Sequence, residues 1–522
     1  MQMLRIPVAL AAALTAATTL LLPAASQADG WADKIDFSGY LQSDLRYVLD
    51  DWRGATGEGR GFQMNRNDLS MRLKATPDPR VQAVIETKLR FYGFNKTAQL
   101  QDLSLRSTVD PFDVRLEEAY VAVQGVFGPM FDLKVGRMIQ SWGTADMFNP
   151  TDNLNARDFS DPMEYTAKVP NEMIELDMYP TDWLTLTAVW VPVFKPAMLP
   201  DSAPFAFAVD YDRNGCFVAA PTPPLQRDQM GKLVGMFNAL DPCALKFVNP
   251  QVRTLNPSLS LRNSQAAARA KFRIGDVDLS LSYYYGRFSF PVAYTAVADV
   301  VGPGSASKGL AFATDEVEID PKKTNVKYVA EVTYPRMQVI GFDMAYSLSW
   351  LWDIGFVGEV ALVLPEEVTF GMTGFMNGAR LDMLTMSTVN VPSTPFVKAT
   401  VGLDYTFSNG LYLNGMYVRG FFDEFNDMFG IHNYFVAAAE MKFLDAELVI
   451  RLAGALNCDD TSANVYPQIT WVVAPAVELA AGVMWFFGDT KPSDPLSYAS
   501  KSKFGQKAVG RDFAFMKAKV TW

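Results

Sequence analysis

The sequence has little of what soluble enzymes and nucleic-acid-binding proteins use for their chemistry. It contains one histidine, His432, and three cysteines in 522 residues. This leaves little material for histidine-based metal sites or catalytic triads. Lys and Arg total 46 against 57 Asp and Glu, and phosphate backbones are bound by clustered basic residues. We therefore predict that the protein is not an enzyme and does not bind nucleic acid.

Long apolar runs are also scarce beyond the N-terminus. The nearest case, 471–488, contains Pro475 and Glu478, and a proline and a charge both disfavour a membrane-spanning helix. Disorder is excluded as well, because 49% of the residues are hydrophobic and 20% are charged. The remaining sequence is therefore an ordered chain whose apolar residues are dispersed.

The N-terminal segment 1–28 has the pattern of a signal peptide. Arg5 precedes an apolar stretch from Val8 to Leu22, and Ser26-Gln27-Ala28 supplies the small residues that a signal peptidase recognises. This predicts secretion from the cytoplasm, with residues 29–522 forming a single domain.

What recurs along the rest of the chain is alternation of apolar and polar residues over about ten positions, typical of a strand between lipid and water. Leu69, Met71 and Leu73 share one face, whereas Ser70 and Arg72 share the other. Segments with this pattern are 36–48, 67–76, 80–93, 114–124, 131–139, 173–179, 183–191, 265–274, 276–287, 323–334, 336–350, 396–407, 410–420, 432–443, 446–456, 464–473, 477–487 and 511–522. The sequence therefore predicts an all-β fold, a transmembrane antiparallel barrel of about eighteen strands.

The links between these segments alternate between short and long. The short ones lie at 76–79, 125–130, 179–183, 274–277, 334–336, 408–410, 444–446 and 474–476. Bacterial outer-membrane barrels combine tight periplasmic turns with long outer loops. The alternation predicts this asymmetry, with all three cysteines on the outer side.

One segment does not fit this alternation of short and long links. Residues 356–363 resemble a strand, but they are fewer than the roughly 9–11 that span a membrane. We interpret them as a hairpin arm above the membrane, which keeps the count at eighteen. Pairing of 356–363 with 368–375 would give twenty strands, and counts of sixteen or twenty stay open.

The polar faces of the strands predict the lining of the lumen. The basic positions we assign there include Arg72, Lys74, Arg90, Arg115, Lys134, Arg269 and Lys271. One interpretation is that these charges pair across strands and stabilise the wall. The other is a wet pore with a mild preference for anions.

The third outer loop carries the most distinctive string of the sequence. It contains Gly136-Arg137, Trp142-Gly143 and the run from Asn149 to Asp158. Asn-Pro and the Asp/Asn cluster predict a compact loop that satisfies its own polar groups. The functional alternative is a loop folded into the barrel, with Arg137, Asp146, Arg157 or Asp158 at a constriction.

This string resembles the pattern of a family of proteobacterial outer-membrane proteins known chiefly as a domain of unknown function. The family has Gly-Arg, Trp-Gly and Asn-Pro-x-Asp-x-Leu-Asn-x-Arg-Asp in this order, and Ala156 stands where proline is common. Gly358-Glu359-Val360-Ala361 is also similar to the family. The resemblance implies the fold and the location, and it implies no substrate.

Two further sites are predicted in the long stretch 192–264. Cys216 and Cys243 form the favoured disulfide, because a long exposed loop gains from a cross-link, although other pairings with Cys458 stay open. Asp210, Asp212 and Asn214 resemble the opening of a calcium loop. Pro221 stands where its closing glutamate would be, so a plain acidic turn is the alternative.

These patterns predict a porin-like channel of the bacterial outer membrane for small solutes, with no cofactor unless calcium binds. The expected partners are outer-membrane lipid, the small solute and the barrel-assembly machinery, which would recognise the C-terminal strand ending in Trp522. A transporter of hydrophobic compounds, favoured by the Met- and Phe-rich segment 370–388, and a surface adhesion or structural barrel are the alternatives. The sequence leaves open whether the protein is a monomer or a trimer.

Overall fold

The structure, a computed structural model, describes residues 34–51, 60–97, 100–199, 210–211, 217–218, 245–247, 251–301, 324–376, 379–380, 386–391, 393–425, 431–488 and 511–522. These residues form strands, turns and loops, with one short α-helix at Arg106–Val109 and 3-10 turns at Leu100–Ser104, Pro162–Glu164 and Leu261–Asn263. Within these ranges, no helix has both the length and the apolar character needed to cross a membrane. The predicted signal peptide lies outside the described residues.

Eighteen strands form one closed antiparallel sheet, in which each strand pairs with the next along the chain. Numbered β1 to β18, they are Ile35–Asp51, Gly61–Asp78, Val81–Tyr92, Phe112–Gln124, Phe131–Met138, Asn171–Thr181, Leu184–Val191, Gln265–Ile274, Val277–Arg287, Arg336–Leu348, Ile354–Pro365, Phe396–Thr406, Leu411–Arg419, Asn433–Phe443, Leu448–Asn457, Ala463–Ala474, Val477–Phe487 and Arg511–Thr521. β18 pairs with β1, with Leu41 opposite Val520, and this pairing closes the barrel. The predicted eighteen-stranded barrel is confirmed.

Alternation along each strand separates an inner from an outer face. In β2, Asp68 and Ser70 are 3% and 2% exposed, whereas Leu73 on the opposite face is 38% exposed. Large exposed apolar side chains recur on the outer face: Phe37, Ile85, Val114, Ile174, Leu186, Leu281, Ile340, Phe342, Val360, Val401, Leu413, Phe435, Ile450, Ile469, Leu479 and Met516. Such an apolar surface requires lipid, and a closed barrel leaves no unpaired backbone edge in it. The barrel therefore spans a membrane.

The connections at one end of the barrel are all short. They are residues 79–80, 125–130, 182–183, 275–276, 349–353, 407–410, 444–447 and 475–476. Gly275, Gly410 and Ala476 have positive φ values of 60°, 85° and 73°, the left-handed backbone that lets tight hairpin turns follow the strand twist. We call this the short-turn end and the opposite one the long-loop end.

One predicted wall segment is wrong. The strand Thr324–Thr333, predicted as part of the barrel, pairs instead with Val292–Val301 in a second sheet. The link 334–336 is consequently not a turn between two barrel strands.

The hairpin-arm interpretation of 356–363 is wrong for the same reason. These residues belong to β11, which pairs with β10 and β12 in the wall. The turn before β11 contains neither Gly nor Pro, and it is closed by Trp352 and Asp353 at φ 54° and 59°. Because the turn 349–353 contains no Gly or Pro, it and β11 were predicted as part of one long loop after the strand 336–350.

The second sheet is built from the long loops. Its strands are Leu245–Phe247, Gln251–Leu255, Val292–Val301, Thr324–Thr333, Val368–Met376, Ala379–Arg380 and Met386–Val391. Thr295 lies opposite Gly371 in a parallel pairing, which joins the loop after β9 to the loop after β11. The segment 368–375 is therefore part of this sheet and adds no strand to the barrel.

Candidate functional site

Loop 3, residues 139–170, leaves the barrel at the end of β5 and returns at the start of β6. Asn155 closes its neck, since its Nδ2 donates to the carbonyl oxygens of Met138 (3.2 Å) and Val169 (3.0 Å). Its Oδ1 accepts from the backbone N–H of Gln140 at 2.8 Å. Asn155 is buried, and these bonds give the buried amide the partners that it needs. The neck thereby sets the direction in which the loop enters the barrel.

Glu359 on β11 anchors the first half of loop 3. Its Oε1 accepts from the backbone N–H groups of Thr144 and Ala145, both at 2.6 Å, and from Asn149 Nδ2 at 3.0 Å. Its Oε2 accepts from Thr151 Oγ1 at 3.0 Å. The Glu359 side chain is fully buried, so its carboxylate depends on these bonds in place of water. Loop 3 is thereby tied to the inner face of β11.

Asp161 anchors the second half of loop 3 on β1 and β2. Its oxygens accept from both terminal nitrogens of Arg46, at 2.7 and 2.6 Å, and from Arg66 at 2.8 Å. Burial by itself would raise the pKa of Asp161, but Arg46, Arg66 and the N–H of Met163 hold it well below its usual range. The carboxylate therefore stays charged and bound to the wall.

The two anchors lie on opposite sides of the barrel. β2 and β11 are nine positions apart in a ring of eighteen strands, which places Arg66 and Glu359 across the lumen from each other. Thr400 on β12 adds a hydrogen bond to the carbonyl of Phe148 at 2.7 Å. Loop 3 therefore crosses the interior of the barrel from wall to wall.

The basic residues predicted for the lumen lie on the inner faces, and several form ion pairs. Arg72 lies 2.8 Å from Glu86 and 2.7 Å from Glu118. Further pairs join Arg90 to Asp68, Lys134 to Glu175, and Arg115 to both Asp113 and Asp158. The pairs of Arg72, Arg90 and Lys134 are the cross-strand pairing expected of charges that stabilise a barrel wall, whereas Arg115 pairs within β4 and with loop 3.

Three other predicted lumen cations have different surroundings. Lys74 shares the inner face of β2 with Arg72 and is half-buried. The guanidinium of Arg269 lies 5.0 Å from the ring centre of Trp142 in loop 3. Lys271 is exposed on the inner face of β8, so water reaches this part of the lumen.

The four residues proposed for a constriction lie in different places. Arg137 shares the face of β5 with exposed Val135, and it pairs with Glu172 at 3.1 Å, on the outer side of the wall. Asp146 is exposed in loop 3 and interacts electrostatically with Asp404 of β12.

The other two of these residues are held within loop 3. Arg157 is buried and pairs with Asp152 at 3.2 Å. Asp158 accepts from the backbone N–H of Ser160 and lies 3.5 Å from Arg115 on β4. Loop 3 thus brings Asp146, Arg157 and Asp158 into the barrel, whereas Arg137 points away from it.

A partly open pocket lies between loop 3 and two other loops. We call it the phenylalanine pocket; its lining includes Phe148, Phe288, Phe290, Phe396, Phe421, Phe422 and Phe425, the cations Arg157 and Lys398, and Asp152. The rings of Phe288 and Phe425 stack at 4.5 Å, and the Arg157 guanidinium lies 4.0 Å from the ring centre of Phe422. The enclosed volume is ≈ 50 Å³. Charged and aromatic groups thus meet beside the loop that crosses the lumen.

Glu359, Asp161 and Arg46 were not predicted as anchors of loop 3. The available signal for Glu359 is that it is the single charge in the apolar run 356–363, since a charge in such a run requires a specific partner. Asp161 and Arg46 are 115 positions apart, and no local pattern links them.

The remaining predicted sites lie wholly or partly outside the described residues. Cys216, Cys243, Asp212 and Asn214 are outside them, and of Asp210 only the backbone is described. Within the described part of the chain, Cys458 is an exposed cysteine that forms no disulfide.

A closed eighteen-stranded barrel crossed by an internal loop defines a class, the transmembrane β-barrel proteins. Residues 62–370, more than half of the chain, match the model of a family described as Protein of unknown function (DUF1302). The chain belongs to this family. None of the curated proteins matches this chain.

Solved structures of other barrels are distantly similar. OccK9 (OpdG) of Pseudomonas aeruginosa is 9% identical, with 95% of this chain and 99% of that chain covered and a TM-score of 0.47. OccAB3 of Acinetobacter baumannii is 8% identical over 94% and 99%, with a TM-score of 0.45. OmpF of Salmonella typhi, in a complex with daunomycin, is 8% identical over 94% and 97%, with a TM-score of 0.35.

Proposed function

We propose that this protein is a channel of the bacterial outer membrane through which small solutes diffuse, with loop 3 as its constriction. The observation that carries the proposal is the pair of anchors on opposite walls, Glu359 on β11 and Arg46 and Arg66 on β1 and β2. Barrels of 16–18 strands leave room for an aqueous channel. A loop held across such a barrel divides and narrows the passage.

The outer membrane is the location that this architecture supports best. Closed antiparallel barrels with an apolar outer band and an even number of strands are the spanning form of bacterial outer-membrane proteins. On this basis the short-turn end faces the periplasm and the long-loop end faces outward. We also propose that the C-terminal strand, whose Trp522 exchanges backbone hydrogen bonds with Gly39 at 3.1 Å, is what the barrel-assembly machinery recognises.

The charges of the inner face support passage of polar solutes with weak selectivity. Arg72 and Lys134 form ion pairs with acidic partners, whereas the exposed Lys271 interacts with Asp278 and Asp343 at longer range. An exposed cation in a wet lumen favours anions mildly, because paired charges cancel much of their field on a passing ion.

Planar-bilayer recording of the purified protein in a KCl gradient tests the proposal. We expect stepwise conductance and a reversal potential displaced slightly toward the anion potential. Lys271→Gln should reduce that displacement, and Arg106→Gln, which removes the same charge from an 85% exposed side chain of a long loop, should reduce it less. Bilayers that stay sealed would overturn the channel function, and equal effects of the two variants would overturn the role of Lys271.

Transport of hydrophobic compounds is the second candidate, because the inner face becomes apolar toward the long-loop end. A buried cluster there contains Met416, Val418, Val436, Met484, Phe486, Phe513 and Phe515. Apolar inner faces favour apolar cargo, since water leaves such surfaces readily. A protein that admits no ions but accelerates entry of an apolar dye into vesicles would replace the first function by this one.

A further inference from the structure

We propose that Arg287 and Arg336 bind the phosphate group of a membrane lipid, on the outer face of the barrel at the long-loop end. The site faces lipid and not the lumen, so it is independent of the proposed channel function. It would hold one lipid molecule against the barrel wall.

Two arginines lie side by side where the outer face of the wall meets the long loops. Arg287 ends β9 and Arg336 begins β10, and the two residues are directly opposite each other in register. Alternation along β9 places Arg287 on the same face as Tyr285 and Leu281, which are 38% and 53% exposed. Arg287 thus lies two residues, or about 7 Å, beyond the last tyrosine of this lipid-facing surface.

The surface beside the two arginines suits the chains of a lipid. Ile340 and Phe342 on β10 are exposed apolar side chains, and Tyr285 lies between them and the arginines along the wall. Tyrosines of membrane proteins are enriched at the level where acyl chains end and headgroups begin. A lipid whose chains cover Ile340 and Phe342 would therefore carry its headgroup at Arg287 and Arg336.

The two guanidinium groups are close together, and every acceptor that they have is uncharged. Both donate to Asn263 Oδ1, from Arg287 at 2.9 Å and from Arg336 at 3.1 Å. Arg287 also donates to the carbonyl of Tyr334 at 2.6 Å, and Arg336 donates to the carbonyl of Arg262. Like charges directly opposite in a sheet destabilise it. An anion bound by both arginines would remove this repulsion.

Two donors of the arginine pair have no acceptor. Arg287 Nε and Arg336 Nη1 are buried and lack a hydrogen-bond partner within the described part of the chain, and buried donors of this kind are rare. The planar guanidinium matches the spacing of phosphate oxygens and binds two of them at once. A phosphate group therefore offers the acceptors that this pair lacks.

The local charges also favour an anion. Among charged groups, Arg336 acts on Arg287 most strongly and Glu366 follows. Glu366 Oε2 accepts from the backbone N–H of Arg336 at 2.9 Å, but no carboxylate of the described residues forms an ion pair with either guanidinium. With the exposed neighbours Arg262 and Glu367, three cations stand against two carboxylates. A phosphate group compensates this excess.

Native mass spectrometry of the protein released from detergent micelles tests the proposal with two lipids. Dioleoyl phosphatidic acid carries the phosphate, and dioleoylglycerol has the same chains without it. We expect phosphatidic acid to bind at least about tenfold more tightly, the size of one charge-assisted hydrogen bond. Inorganic phosphate at the same concentration should not displace it, because free phosphate lacks the chains.

Arg336→Gln should weaken binding of phosphatidic acid about tenfold and leave binding of dioleoylglycerol unchanged. Arg336→Lys, which keeps the charge but loses the planar fork, should have an intermediate affinity. Arg137→Gln is the matched control, because Arg137 also lies on the outer face at the long-loop end but has a carboxylate partner, Glu172. It should bind phosphatidic acid as the wild type does. Heat-dependent mobility on gels confirms that each variant is folded.

Equal binding of phosphatidic acid and dioleoylglycerol would overturn the phosphate as the group recognised. Displacement of the lipid by an equal concentration of inorganic phosphate would overturn the lipid as the occupant. Equal losses in Arg336→Gln and Arg137→Gln would overturn the assignment to the arginine pair, and wild-type affinity in Arg336→Lys would overturn binding through the planar fork.

Discussion

Glu359 accepts a hydrogen bond from the backbone N–H of Thr144 at 2.6 Å, across 215 positions of sequence. This bond joins the middle of a barrel strand to a loop that starts six strands away in the ring. It turns a surface connection into an internal partition of the barrel.

Glu359→Ala should release the first half of loop 3. The change leaves the donors of Thr144, Ala145, Asn149 and Thr151 without their acceptor, and each buried donor without a partner costs about 1–3 kcal/mol. Single-channel conductance should rise and become noisier as the loop leaves the wall.

Glu478→Ala is the matched control for this variant. Glu478 is a carboxylate of β17, opposite Lys519 of β18 in register, and its loss removes the same charge from the barrel. Equal conductance changes in the two variants would mean that charge, and not anchoring, sets the passage.

Gly143→Ala should displace the same part of loop 3 by sterics. Gly143 has φ 95°, and a Cβ there would overlap with the Glu359 carboxylate. Left-handed backbone costs a non-glycine residue about 1–2 kcal/mol, and the overlap adds to it. Conductance should change as in Glu359→Ala, while Gly61→Ala, with no atom within 4 Å of its Cβ, should resemble the wild type. Wild-type conductance in Gly143→Ala would contradict the geometry of this anchor.

The Asp161 anchor should withstand mild acid. The pKa of Asp161 is lowered in the folded protein by Arg46 and Arg66, against the effect of burial. Its stabilising contribution is therefore complete above the unfolded pKa of about 3.9 and is lost only as pH falls through the lower folded value. Conductance between pH 8 and pH 5 should not change through this group. Asp161→Asn should alter conductance over the whole range. A transition near pH 6 that is present in the wild type and absent from Asp161→Asn would contradict the lowered pKa of Asp161.

Trp522→Ala should weaken closure of the barrel. The Trp522 ring lies 6.4 Å from that of Phe37, and it covers Gly39, where a Cβ would lie 2.9 Å from the indole. Because Trp522 is 43% exposed, we expect a loss of about 1 kcal/mol, smaller than for a fully buried aromatic residue. The temperature at which the barrel unfolds on gels should fall, and Trp522→Phe should restore most of it. Equal unfolding temperatures for Trp522→Ala and wild type would contradict this.

The fold was more predictable than the site. Period-two alternation assigns Asp68, Ser70 and Arg72 to one face of β2 without knowledge of any partner strand, because successive side chains point to opposite sides. The same rule does not decide the roles of 324–333, which alternates but lies outside the wall, and of 354–365, which is an apolar run but lies in the wall. Their roles depend on which pairing closes the ring, and that choice is decided by contacts far along the chain.

The sequence by itself determined most of the strand pattern, the inner and outer faces and the two unlike ends, because each follows from local periodicity and link length. The predicted count of eighteen was right only because 323–334 was counted in place of β11. Only the tertiary structure decided that β11 is a wall strand and that loop 3 crosses the lumen between Glu359 and Arg66. It also decided that Arg157 and the phenylalanines surround one pocket. These relationships join residues on different strands and loops, and they form only when closure of the barrel brings opposite walls within reach of one loop.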